Sequence, residues 1–73
     1  MTVYRIVFAN NEIVSSNPET VHAHFNGEYY YEHNKGKLVF ALVKAETEEN
    51  ALTIGDIIIK EVKLKVFGND FEN

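Results

Sequence analysis

The sequence predicts an α+β fold: an antiparallel β-meander of five or six strands with one α-helix, about residues 48–60, packed on one face. Three observations carry this. Short runs rich in β-branched and aromatic residues alternate with asparagine- and glycine-bearing turns as far as Ala45. Leu38 to Val43 is apolar at every position, the pattern of a strand at the centre of a sheet with both faces covered. After Thr47 the apolar spacing changes from that of a strand to that of a helix.

Thr2 to Phe8 reads as the first strand, and Asn10-Asn11 as its turn, because asparagine tolerates the left-handed backbone of a tight hairpin. Glu12 to Ser16 returns beside it, pairing Phe8 with Ile13 and Ile6 with Ser15. Pro18 ends the ladder, since proline has no N–H to donate. The next segment allows two readings. Ser16 and Glu19 have capping-box spacing, with Val21 and Phe25 on one side of a short helix. Against that, Val21, Ala23 and Phe25 alternate with His22 and His24 and run into Asn26-Gly27, a strong hairpin signal. The hairpin is the reading adopted. Glu28 to His33 is then a fourth strand, and Asn34-Lys35-Gly36 a three-residue turn into Lys37 to Ala45.

Thr47 suits a helix cap, with Glu48 and Glu49 in the first turn where the macrodipole favours negative charge. At 100° per residue, Ala51, Ile54, Gly55, Ile58, Ile59 and Val62 gather with Leu52 on one broad face, and Ile57 falls near the solvent side. A competing reading stops the helix at Gly55 and starts a strand at Ile57. In either case Val62, Leu64 and Val66 alternate with Lys63 and Lys65, which predicts a last strand to Phe67, and Gly68 to Asn73 reads as a frayed tail.

Seventy-three residues make one domain, 1–73, with 45% hydrophobic and 25% charged residues, ordinary for a globular chain. So small a domain buries only about 60% of its unfolded surface, which makes self-association an expected support. The chain has no cysteine, so disulfides and thiolate metal sites are excluded. Its net charge of −4 weighs against nucleic acid as a partner. The longest apolar run is far short of a membrane span, so no membrane partner is expected. The opening Met1-Thr2-Val3-Tyr4-Arg5 lacks the basic and apolar regions of a signal peptide, so a cytoplasmic location is the expectation.

The candidate site comes from register arithmetic. A two-residue Asn26-Gly27 turn sets His24 opposite Tyr29 and His22 opposite Tyr31. The following turn sets Tyr31 opposite Val39 and Tyr29 opposite Ala41. One face then collects Val21, Ala23, Phe25, Tyr30, Phe40 and Leu42 with Leu38 as a core. The other collects His22, His24, Tyr29 and Tyr31, with His33 at the hairpin end, as a candidate binding surface. His-x-His points two imidazoles the same way, yet Glu28 and Glu32 fall on the wrong face to complete a metal set, so no metal or cofactor is expected. Ser15, Ser16 and Thr47 have no base at useful spacing, so no catalytic residue is expected.

The leading functional expectation is a small non-enzymatic interaction protein, self-associating, that binds a protein partner through the aromatic and histidine face. A phage-encoded or host regulatory inhibitor is one form such a protein takes. The alternative is a small-ligand-binding or sequestering protein that uses the same face at a subunit interface. An enzyme comes third, because it needs a paired base and nucleophile.

Overall fold

A computed structural model of the chain describes residues 2–19 and 25–72, with side chains as far as Lys65. It is α+β. Four strands, β1 (Thr2–Ala9), β2 (Glu12–Pro18), β3 (Tyr29–Asn34) and β4 (Lys37–Ala45), form one antiparallel sheet, followed by one helix, α1 (Glu48–Glu72). The strand order is β2-β1-β4-β3, so two hairpins are joined through a long-range β1–β4 pairing. The order differs from a meander, and the described residues form four strands where five or six were expected. Val21 to His24 of the expected third strand lie outside the described residues. Phe25 belongs to no strand. Gly27 takes φ 89° and Asn26 stays out of the left-handed region, so Asn26-Gly27 is not the type I′ turn on which the hairpin reading rests.

The two hairpin turns each put consecutive residues in the left-handed region. Asn10 and Asn11 have φ 54° and 60°, and Lys35 and Gly36 have 52° and 84°. This is the turn chirality that matches strand twist. The second turn therefore has two residues, closed by Asn34 opposite Lys37, where three were expected. Asn11 reaches from the first turn to the second. Its Nδ2 donates to the Gly36 carbonyl at 3.1 Å, and its Oδ1 accepts from the Leu38 N–H at 2.9 Å.

Each hairpin contains a bulge. Between Val7 and Phe8 the register on β2 skips Val14, so Ile6 faces Ser16 and Phe8 faces Ile13. Between Glu32 and His33 the register on β4 skips Val39, so Glu32 faces Phe40 and His33 faces Leu38. An extra residue shifts every side chain beyond it to the other face. The apolar run of β4 is thereby split. Leu38, Ala41, Val43 and Ala45 are buried, while Val39 is 50% exposed and Phe40 and Leu42 are half-buried. The strand is central in the order, as its composition implies, but the described residues cover only one of its faces.

The helix covers that face. Thr47 Oγ1 accepts the Asn50 N–H at 3.1 Å, an N-cap that satisfies one of the free donors of the first turn. Ala51, Gly55, Ile58 and Val62 are buried against Ile6, Ala41 and Val43, and Ile57 is 50% exposed, as its place on the helical wheel requires. The expected last strand is absent. Val62 continues the three-and-four spacing of Ala51, Gly55 and Ile58, and burial of that stripe outweighs the alternation of Lys63 and Lys65. The same helix runs on through the expected tail to Glu72. Gly55 permits the close approach: a β-carbon there would lie 2.9 Å from Ile13 Cδ1 and 3.2 Å from Ile6 Cδ1. Among the described residues, no helix is long and apolar enough to cross a membrane.

Candidate functional site

The period of two along β3 sends its aromatic residues to opposite faces, and each set joins a different network. Tyr29, Tyr31 and His33 form one row. Their rings follow one another at 6.2 Å (Tyr29 to Tyr31) and 6.3 Å (Tyr31 to His33). This row lies on the helix side, opposite Val43, Ala41 and Leu38. The Tyr29 hydroxyl donates to both carboxylate oxygens of Glu61, at 3.0 and 3.1 Å. Lys65 Nζ donates to the Tyr31 hydroxyl at 3.3 Å. That bond to the Glu61 carboxylate, helped by burial and by the carboxylate's charge, raises the Tyr29 phenol above its ordinary value. Lys65 is raised too, first by its hydrogen bond to Tyr31.

Of the five residues expected to form a binding surface, Tyr29, Tyr31 and His33 do share a row. Tyr29 and Tyr31 are half-buried and tie the helix to the sheet edge. His33 is exposed, and its Nδ1 accepts the Gly36 N–H at 3.3 Å, which braces the turn. His22 and His24 lie outside the described residues.

The other face reverses the expected assignment. Tyr30, Phe40 and Leu42, read above as core, point away from the helix with Arg5 and Val7, and no described element covers them. Here the side chains form a continuous string. The Arg5 guanidinium stands 4.7 Å from the Phe40 ring centre, Phe40 lies 6.4 Å from Tyr30, Tyr30 6.5 Å from Phe25, and Lys44 Nζ sits 4.5 Å from the Phe25 ring centre. Two cations thus cap a row of three aromatic rings, each over a ring face where the quadrupole attracts positive charge. Lys44 also donates to the Phe25 carbonyl at 3.1 Å, which holds that ring on the sheet. Acidic groups rim the string. Glu19 meets Arg5 at 3.4 Å, and Glu32 accepts the Tyr30 hydroxyl at 2.8 Å, a bond that raises the Tyr30 phenol.

Sequence reasoning missed Arg5 and Lys44. The available signal was a lone cation inside each of two apolar strands, a common mark of the solvent side. Relating the two required the β1–β4 pairing, which sets Arg5 opposite Leu42 and Val3 opposite Lys44.

A depression of about 330 Å³ lies where β4 passes into α1, walled by Glu28, Lys44, Glu46, Asn50 and Thr53. Its size is at the low end of small-molecule pockets. Among the described residues, no three histidine, aspartate or glutamate side chains converge as a metal set would. Comparison with family models, curated proteins and solved structures finds no significant match to this chain.

Proposed function

We propose that this is a non-enzymatic interaction protein that docks a protein partner on the open face of its sheet. The observation that carries the reading is the cation-capped aromatic string of Arg5, Phe40, Tyr30, Phe25 and Lys44 on the face the helix leaves uncovered. Tyrosine, phenylalanine and arginine are the residues enriched at the centres of protein interfaces, and rigid rings give contact area at little entropic cost. The partner's chemistry follows from what caps the string. It presents an apolar patch to the rings, with hydrogen-bond acceptors placed to meet Arg5 and Lys44. Nucleic acid is disfavoured by the same surface, because Glu19, Glu28 and Glu32 surround it and the net charge is −4.

A photo-crosslinking amino acid tests this at two positions. At position 40, on the open face but on an inner strand, it is expected to capture one discrete protein, and Arg5→Glu is expected to abolish the capture. At position 57, on the outer side of the helix, no such product is expected. Equal labelling from both positions, or capture indifferent to Arg5→Glu, rejects the docking surface. A second reading, small-ligand sequestration, draws on the depression beside Lys44. Native mass spectrometry of protein purified from its own source separates the two, since only sequestration requires a small molecule bound to the chain.

A further inference from the structure

We infer that two copies of the chain join edge to edge through β3, in an antiparallel register centred on Tyr31, to form one eight-stranded sheet. The β3 edge adjoins the docking face and shares Tyr30 and Glu32 with it, but the inference does not depend on the partner proposed above.

The two sheet edges are unlike. β2 ends on Pro18 and bears the bulge at Val14, both devices that blunt an edge against pairing. β3 has neither proline nor lysine, and the bulge in its hairpin lies on β4, so its own backbone stays regular. The Lys44 N–H donates to the Glu28 carbonyl at 2.9 Å. In an antiparallel ladder alternate residues turn their backbone groups the same way, so Tyr30 and Glu32 also face β4. Tyr29, Tyr31 and His33 then turn their N–H and C=O groups outward, and no described strand meets them.

Side-chain chemistry selects the register. Opposed residues of an antiparallel pair share a face, so the odd positions of one copy must meet the odd positions of the other. Centred on Tyr31, the pairs are Tyr31 with Tyr31, Tyr29 with His33 and Tyr30 with Glu32, and no like charges meet. Moved two positions one way in the pairing, the register sets Glu28 opposite Glu32. Moved the other way, it sets Glu32 opposite Glu32. The Tyr31 register also repeats between chains the pairing of phenol and carboxylate that Tyr30 and Glu32 make within one.

The helix supplies a second observation. It lies over β2 and β1 at Gly55 and reaches β3 with Glu61 and Lys65, so it travels across the strands towards the β3 edge. From Lys65 its backbone continues to Glu72, about 10 Å at 1.5 Å per residue, or roughly two strand spacings. Leu64, near the point where the helix reaches that edge, is 72% exposed. A neighbouring copy paired through β3 places its own sheet beneath this overhang. The two-fold axis gives it an overhang in return, the isologous arrangement of most dimers.

Sedimentation velocity tests the inference with two opposed substitutions at one position. The wild-type chain at tens of micromolar is expected to sediment at twice the chain mass. Tyr30→Glu sets two carboxylates opposite each other at both ends of the junction and is expected to give monomer. Tyr30→Lys sets an ammonium opposite Glu32 and is expected to stay dimeric. Circular dichroism confirms that each variant is folded, and Tyr30→Lys controls for loss of the ring. A wild-type monomer at millimolar concentration overturns the inference. So does a dimer that survives Tyr30→Glu, or one that both variants dissociate equally. Arg5→Glu separates the two proposals, since it is expected to abolish partner capture and leave the dimer intact.

Discussion

Ile6, Ala41 and Val43 are completely buried under the helix, whereas Val7, Phe40 and Leu42, one step away in the chain, remain partly exposed. Hydrophobicity does not separate these sets. Size and company do. Where the two layers meet, the covered side presents Ala41 and Ala45 from β4 and Ala51 and Gly55 from α1, small residues that let two backbones approach closely. The open side carries rings and long cationic side chains that cover one another in the plane of the sheet. One face is shaped to receive a helix, and the other to present a surface.

Paired truncations give the sharpest test of this difference. Ile6→Ala removes a fully buried side chain and is expected to cost about 3 kcal/mol, on the order of 12–24 °C in melting temperature for a domain this small. Leu42→Ala, on the open face of the adjacent strand, is expected to cost about 1 kcal/mol or less, because part of its surface already meets water. Equal losses in urea unfolding would break the distinction between the faces.

The next effect concerns what splits β4 between the faces. Asn11 holds the Leu38 N–H and the Gly36 carbonyl beside the bulge at Val39. Asn11→Ala leaves both groups without this partner and puts at φ 60° a residue that lacks asparagine's tolerance of the left-handed backbone, for an expected loss of about 2 kcal/mol. Asn11→Gly keeps the backbone free to turn and loses only the hydrogen bonds, so it is expected to be the milder variant. If glycine is as costly as alanine, the left-handed backbone contributes nothing measurable.

The smallest effect lies at the Tyr29–Glu61 tether between β3 and the helix. Glu61 favours the neutral phenol, so the folded chain holds this proton to a higher pH than the unfolded chain does. Below the ordinary tyrosine pKa of about 10 both states are protonated and the contribution is fully present. As pH rises through that value the unfolded state loses its proton first, and the contribution fades until the folded phenol titrates. In an ultraviolet titration of the four tyrosines, Glu61→Gln is expected to return one of them towards the ordinary range, leaving Tyr30 raised by Glu32. An unchanged titration would remove the tether.

Much of the candidate site was legible in part. Period two along Tyr29 to His33 puts Tyr29, Tyr31 and His33 on one face and Tyr30 on the other, and the structure keeps that division. Which of the two faces receives the helix was not legible. The expected core grouped Leu38 with Phe40 and Leu42 by simple alternation, and the bulge at Val39 breaks that alternation. A strand with no polar residue from Leu38 to Val43 carries no mark of where its phase shifts.

Local chemistry determined what depends on a few adjacent atoms. Asparagine at two left-handed positions makes the Asn10-Asn11 turn, Thr47 caps the helix, and the spacing of Ala51, Gly55 and Ile58 sets its buried stripe. Tertiary structure alone decided the strand order, both bulges, the open face and the helical state of the chain after Val62. The β1–β4 pairing joins residues 33 to 43 positions apart, Ile6 and Ala41 being 35 apart, so nothing in either neighbourhood encodes it. The alternation of Val62 to Val66 suits a strand by itself. It becomes helix because Ala51, Gly55 and Ile58 are already docked on the sheet, so adding a turn extends an existing hydrogen-bond ladder with no new nucleus to form.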